Sequence, residues 1–210
     1  MLETAGASKV PPFENRIETF LPKGAVAKSL SEVPDLISKG SQVVFFADAD
    51  STAAFNQITP DALGALQRIA VFRRGDILSE FKILLDRIPA GAEEIKEAIL
   101  HDIQKVVETF PEKKLEGIAF TTQFASDTGL EAGPWHTDDL GPRIRVLKTY
   151  TSQPTEYTTN MSPDPKTIIS PPTGSFSFLT REVIHRRPAL PPTTMRLTLL
   201  VEVQQGPSPS

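Results

Sequence analysis

The chain has 210 residues, of which 39% are apolar and 23% charged, a balance that fits one compact domain with its own core. Its 22 basic and 26 acidic residues give a formal net charge of −4, which disfavours nucleic acid and anionic membranes as partners. It has no cysteine, which excludes disulfides, thiolate catalysis and cysteine-ligated metal clusters. Any metal site must therefore be built from carboxylates and the three histidines, His101, His136 and His185.

The N-terminal segment has no sustained hydrophobic period, and we expect residues 1–25 to wrap the surface. It has an acidic third residue and none of the apolar stretch typical of a secretory signal. The most apolar short run, residues 43–47, is far shorter than the roughly 18 residues that a membrane helix needs. These features predict a cytoplasmic protein without a membrane partner.

The first half of the chain carries one strand pattern and three helical patterns. Residues 41–47 form an apolar run of β-branched and aromatic residues, which predicts a buried strand. Thr59 and Pro60 are typical of an N-cap and a first helical residue, and Asp76 is typical of a second N-cap. The predicted helices cover residues 60–75, 77–88 and 92–110.

The second half of the chain is rich in proline and in short strand patterns, and 12 of the 19 prolines lie at or beyond Pro134. The predicted strands cover residues 117–124, 143–151, 175–179, 182–185 and 195–203. A long polar loop, residues 157–172, is predicted to act as a lid. Helices followed by strands indicate an α+β fold. We expect one domain, with a mainly helical part (1–112), a strand-rich core (113–204) and a frayed tail (205–210).

Three features of the strand-rich half point to one site. His136 and Asp138 are two residues apart, so an extended backbone directs both side chains to one face. His185 ends the short run EVIH, and Arg196 opens the strand RLTLLVEV. Two histidines and one carboxylate form the facial triad of non-haem Fe(II) oxygenases, which leaves metal positions open for a cosubstrate and O₂.

On these residues the sequence resembles the Fe(II)/2-oxoglutarate-dependent oxygenase superfamily. The family pattern is His-x-Asp, a distal His, and then Arg or Lys with Ser or Thr two residues further on, and this chain has His136, Asp138, His185, Arg196 and Thr198 in that order. The resemblance covers about residues 115–203. It implies a double-stranded β-helix core, jelly-roll or cupin-like, with the N-terminal helices packed on it. It also implies Fe(II) held by the two histidines and the aspartate, with 2-oxoglutarate and O₂ as cosubstrates.

The resemblance implies further that the distal carboxylate of 2-oxoglutarate pairs with Arg196. Tyr150 and Thr198 are candidate hydroxyl donors to the same carboxylate. The guanidinium of Arg143 or Arg145 can form a bidentate bond with a substrate carboxylate. Alternatively, both residues lie on the charged outer face of a half-buried sheet.

The substrate is expected to be a small molecule, because little chain remains after Arg196 to build a large pocket. Trp135 and Phe176 line the pocket or fill the core. The segments RIRVLKTYTSQPTEY, IHRRP and MRLTLLVEV are similar to a small group of compact members of the superfamily. Some of these oxidise or cyclise amino acids in specialised metabolism, including aziridine formation from valine. That favours an amino acid or other small acid, with hydroxylation, desaturation and oxidative cyclisation all open, in a monomer or homodimer.

Each site residue also has a plainer interpretation. His136 and Asp138 are compatible with a solvated turn pair, His185 with a core histidine bonded to the backbone, and Arg196 with an ion pair to an acid on a neighbouring strand. Asp139, next to Asp138, alternates to the other face, and the third histidine, His101, lies on the polar face of its helix. The competing functions are a metal-dependent cupin enzyme that does not use 2-oxoglutarate (a dioxygenase or isomerase) and a non-enzymatic β-barrel binding module.

Overall fold

The computed structural model describes residues 12–21, 23–72, 76–89, 92–138, 141, 143–162, 165, 167–180 and 183–204. The tail at 205–210 that was predicted to fray lies outside these residues. In the described part of the chain, no helix is both long enough and apolar enough to cross a membrane.

The first half of the chain supplies the α-helices: α1 (Phe13–Phe20), α2 (Val33–Ser38), α3 (Pro60–Leu66), α4 (Ile77–Leu85) and α5 (Glu93–Thr109). The caps form as the sequence predicts. Thr59 Oγ1 accepts a hydrogen bond from the backbone N–H of Ala62, and Asp76 accepts one from Ser79, each at 3.2 Å. Helix α5 buries the stripe that contains Ile95, Ile99, Ile103 and Val106.

Within the described residues, nine strands form a large sheet and a small ladder: β1 (Gly24–Val26), β2 (Val43–Phe46), β3 (Ala70–Phe72), β4 (Leu115–Phe124), β5 (Arg143–Thr149), β6 (Glu156–Thr158), β7 (Phe176–Leu179), β8 (Ile184–Arg186) and β9 (Met195–Gln204). The seven-stranded sheet has the order β1-β2-β7-β5-β9-β4-β3, and only the β1–β2 pair is parallel. Strands β6 and β8 form the ladder, and single bridges extend it on one side to His136 and on the other to Ile169.

The large sheet separates two apolar clusters, because alternate residues of a strand point to opposite faces. On the helix side, residues such as Val146 and Leu199 join a cluster shared with α3, α4 and α5. The other cluster lies between the sheet and the ladder. It contains Ile17, Leu21, Val43, Phe45, Tyr157, Ile169, Leu179 and Val183. The side of the sheet that faces the ladder also carries Arg143 and Arg145 of β5 and Arg196 and Thr198 of β9, and this places the site.

Most of the predicted helices and strands are found, but three predictions are wrong. The helix that begins at Pro60 ends at Leu66 rather than near residue 75, because the next segment forms β3 and pairs with β4. The N-terminal segment forms α1 and β1 instead of only wrapping the surface, and Ile17 of α1 is fully buried.

The third wrong prediction is the lid over residues 157–172. Tyr157 belongs to β6 and exchanges backbone hydrogen bonds with Ile169 at 2.8 and 2.9 Å. Both side chains are completely buried, so the ends of this segment are part of the fold and cannot open like a lid without exposing core.

Candidate metal centre

His136, Asp138 and His185 come together beside the two-stranded ladder. The backbones of His136 and His185 exchange two hydrogen bonds, at 3.1 and 2.9 Å, and their ring centroids are 4.5 Å apart. From the Asp138 carboxylate oxygens, Nε2 of His185 is 3.3 Å away and Nε2 of His136 is 3.9 Å away. One possible ligand atom from each residue lies within 4.8 Å of the other two, so the three residues can hold one metal ion.

The backbone orients both imidazole rings. Nδ1 of His136 lies 3.0 Å from the carbonyl oxygen of Pro134, and Nδ1 of His185 lies 2.8 Å from that of Val183. Because a carbonyl oxygen only accepts a hydrogen bond, Nδ1 is the donor in each ring, and this orients both rings with Nε2 towards Asp138. Two imidazole Nε2 atoms and a carboxylate that face one another can bind one metal ion between them, and this set of ligand types is typical of non-haem Fe(II).

Arg145 holds the carboxylate of Asp138. Its guanidinium donates to Oδ2 of Asp138 and, through its other nitrogen, to Glu202 at 2.6 Å. Burial acts to raise the pKa of Asp138, but hydrogen bonding to His185 and the charge of Arg145 outweigh it and lower the pKa to about 2. The carboxylate is therefore ionised at neutral pH, as a metal ligand must be.

A cavity of about 180 Å³ adjoins these three residues. Its lining includes Arg145, Arg186, Arg187, Arg196, Thr155 and Thr198. The side chain of His185 is only 7% exposed, whereas that of His136 is 48% exposed. The metal centre is thus open to solvent on the His136 side and closed on the His185 side.

Arg196 is buried at the cavity, with 3% of its surface exposed, and forms no ion pair with any described carboxylate. Its guanidinium donates to the backbone carbonyl of Gln153, the side-chain oxygen of Gln123 and the hydroxyl of Thr155, each at 2.9 Å, and to Thr149 at 3.3 Å. Burial lowers the pKa of Arg196 to about 10, so it remains charged at neutral pH. A buried cation with only neutral acceptors fits an anionic ligand.

The two candidate hydroxyl donors lie on opposite sides of the sheet. Thr198 lines the cavity, as Arg196 does. Tyr150 lies on the helix side, where its ring stacks on Phe55 with 4.0 Å between centroids, so the structure does not bring it to Arg196. Tyr157, on the ladder side, lies near enough to Arg196 for the two groups to interact electrostatically. Its buried hydroxyl has no hydrogen-bond partner among the described residues, and burial raises the pKa of this phenol.

Solved structures to which this chain is similar include an oxidoreductase of the 2OG-Fe(II) oxygenase family from Burkholderia pseudomallei. It is 12% identical, the match covers 84% of this chain and 89% of that one, and the TM-score is 0.45. The dioxygenase for auxin oxidation 1 from Arabidopsis thaliana, in complex with 2-oxoglutarate, is 12% identical over 88% and 92% of the chains, with a TM-score of 0.46. A Pseudomonas putida prolyl-4-hydroxylase is 14% identical over 86% and 96%, with a TM-score of 0.44.

Each of these is a similarity of structure at low sequence identity. No family model matches its sequence, and no curated protein matches it.

Protein carboxylates already neutralise the two arginines expected to bind a substrate. Arg143 and Arg145 share the face of β5 that looks towards the ladder. The Nε of Arg143 lies 2.5 Å from Glu116, and Arg145 bonds to Asp138 and Glu202. Of the two, only Arg145 lines the cavity among the described residues, where it binds the carboxylate of Asp138.

Two candidate lining residues pack elsewhere. Phe176 lies in the helix-side cluster, 4.2 Å from the ammonium of Lys148. Trp135 is buried, with its ring 4.2 Å from the guanidinium carbon of Arg186. Lys148 of β5 lies on the opposite side of the sheet from Arg145. Strand β5 pairs without a register shift, so Lys148 faces the helices and is fully buried.

Sequence reasoning missed Thr155, Tyr157 and Arg187, although each carries a signal. Residues 155–159 read TEYTT, a β-branched and aromatic run in which Thr155 and Tyr157 alternate onto one face. Arg187 follows His185 by two residues and lines the same cavity. Asp139 lies outside the described residues, and His101 is exposed on α5.

Proposed function

We propose that the chain is a non-haem Fe(II)- and 2-oxoglutarate-dependent oxygenase that oxidises an unactivated C–H bond of a small molecule, such as an amino acid or another small carboxylate. The observation that carries the proposal is the junction of two features in one cavity. One is a set of three possible metal ligands that face one another, His136, Asp138 and His185, with both imidazoles oriented by the backbone. The other is the buried guanidinium of Arg196, which lacks a carboxylate partner among the described residues.

In this proposal His136, Asp138 and His185 hold Fe(II), and Arg196 pairs with the distal carboxylate of 2-oxoglutarate, assisted by Thr198 and Tyr157 rather than by Tyr150. When bound, Fe(II) would activate O₂, the oxidant, and 2-oxoglutarate would supply two of the four electrons that reduce it, leaving as succinate and CO₂. The protein's own part is to keep its ligands ionised and oriented, to exclude water from the Arg196 end, and to direct one substrate bond towards the metal.

We also propose that the core is a double-stranded β-helix whose smaller sheet is the β6–β8 ladder. The bridges that extend the ladder to His136 and Ile169 support this, because they turn two paired strands into a four-segment layer facing the large sheet. The metal centre then lies between two β layers, in keeping with jelly-roll architectures. A small substrate is supported by the modest cavity volume of about 180 Å³.

The test is to mix the purified protein with Fe(II) and 2-oxoglutarate without oxygen and to record the visible metal-to-ligand charge-transfer band. We expect the band in wild type and in H101A, which removes the exposed third histidine, but not in H136A or H185A. Absence of the band in wild type at saturating metal and cosubstrate would refute the proposal.

The same measurement separates the proposal from a cupin enzyme that does not use 2-oxoglutarate. R196A is expected to bind Fe(II) normally and to require at least about 10-fold more 2-oxoglutarate for the band, because a charge-assisted pair is lost. Equal 2-oxoglutarate affinity in R196A and wild type would favour the cupin alternative. Succinate release with a panel of free amino acids then addresses the substrate.

A further inference from the structure

Four arginines line the cavity beside the metal centre, and they differ in whether the protein neutralises them. Arg145 is bonded to Asp138 and Glu202. Arg186 donates from Nε to Glu156 at 2.7 Å. These two guanidinium charges are therefore balanced by carboxylates of the chain itself.

Arg187 and Arg196 form no ion pair with any described carboxylate. The described polar contact of the Arg187 guanidinium is with the carbonyl of the next residue, Pro188, at 3.5 Å, the outer limit of a hydrogen bond. Burial mainly, and also the nearby like charge of Arg187, lower the pKa of Arg196. Two guanidinium groups without a carboxylate partner among the described residues, the buried Arg196 and the half-buried Arg187, thus line one small cavity, an arrangement suited to anionic ligands.

The backbone fixes Arg187 at the metal centre. It follows the metal-ligand candidate His185 by two residues, and its carbonyl accepts a hydrogen bond at 2.9 Å from the backbone N–H of Gly133, in the segment that leads to His136. The Arg187 side chain consequently begins between the two segments that carry the histidines.

The net charge of the cavity with Fe(II) and 2-oxoglutarate bound indicates what Arg187 binds, and this step rests on the proposed function. With Glu202 counted against Arg145, Asp138 is counted with the metal: the three positive charges of Fe(II) and Arg196 then equal the three negative charges of 2-oxoglutarate and Asp138. Arg187 then remains as the one unbalanced cation among the described residues that line the cavity. One further negative charge would make the occupied cavity neutral, whereas a phosphate dianion would leave an excess.

We propose that the guanidinium of Arg187 binds a carboxylate of the substrate, and that the substrate class is a small molecule with a single anionic group close to the bond that is oxidised. The exposed side of His136 lets the rest of such a molecule extend towards solvent. Arg187 thereby selects substrates, and this role does not belong to Arg143 or Arg145, whose charges are already satisfied.

The test uses the anaerobic protein loaded with Fe(II) and 2-oxoglutarate and follows the charge-transfer band, which responds to molecules that bind next to the metal. The probes are aliphatic and aromatic monocarboxylates, each compared with its primary amide of the same shape. In wild type we expect the acids that alter the band to bind about 10- to 100-fold more tightly than their amides. In R187M this advantage disappears, while amide binding is unchanged.

R186M is the matched control, because Glu156 neutralises Arg186 and the preference for acids should survive its loss. R187Q replaces R187M if the latter does not form the band. Equal binding of acids and amides to wild type, a preference for acids that persists in the Arg187 variants, or a band that no acid alters would each overturn the inference while leaving the proposed function intact. A wild-type protein without the band would overturn both.

Discussion

Replacing Arg196 with methionine tests whether this buried cation serves a ligand or the fold. Burial lowers its pKa from 12.5 to about 10, and a difference of that size means that folding disfavours the charged guanidinium by about 3 kcal/mol. Methionine fills much of the same volume without a charge. However, the four neutral groups that accept hydrogen bonds from Arg196 lose their donor, and each lost hydrogen bond lowers the unfolding free energy by about 0.5–1.5 kcal/mol. The two effects oppose each other, so we expect the unfolding free energy of the ligand-free protein to change by no more than about 2 kcal/mol.

The assay is urea unfolding without oxygen, in the presence of Fe(II), with and without 2-oxoglutarate. A ligand at 100 times its dissociation constant stabilises the protein that binds it by about 2.7 kcal/mol. Wild type should gain this stabilisation, R196M should gain almost none, and R196K, which keeps a point charge, should lie between them. The reasoning is refuted if R196M loses more than about 3 kcal/mol in the ligand-free state and still gains wild-type stabilisation from 2-oxoglutarate.

Three further predictions follow from buried or shifted groups. K148M should lower the urea-unfolding free energy by about 3–5 kcal/mol, because it leaves the fully buried Asp102 without its cation, and a near-neutral effect would contradict this. Y157F should weaken 2-oxoglutarate binding about 10-fold in the charge-transfer titration, whereas Y150F should leave it unchanged; equal effects would remove Tyr157 from the site. Because the pKa of Asp138 is lowered to about 2, its contribution of roughly 2 kcal/mol to the metal-free protein is present above pH ~4 and lost as pH falls towards 2. In acid unfolding, D138N should not show this loss of stability as pH falls from ~4 towards 2. Identical acid-unfolding curves for D138N and wild type would contradict the prediction.

Local periodicity explains why much of the fold was predictable. The caps at Thr59 and Asp76 and the buried stripe of α5 are properties of neighbouring residues, so the sequence predicts them without knowledge of the fold. Strand β9 is equally predictable, because alternate residues from Arg196 to Glu202 lie on the side of the sheet that faces the ladder. The three-residue strands β1, β3 and β6 were missed, because segments this short become strands only when a partner supplies the hydrogen bonds.

The sequence by itself determined the chemical types of the site: the His-x-Asp pair, the distal histidine and the arginine that follows it, set by spacing along extended backbone. Only the tertiary structure decided which other groups join them. Regular pairing of β5 turned Tyr150 towards the helices, and the β6–β8 register brought Tyr157 opposite His185. Likewise Glu202, 57 residues from Arg145 along the chain, neutralised that guanidinium and left Arg187 without a counter-ion among the described residues. Ion pairing and strand register depend on contacts between distant segments, and no local pattern encodes them.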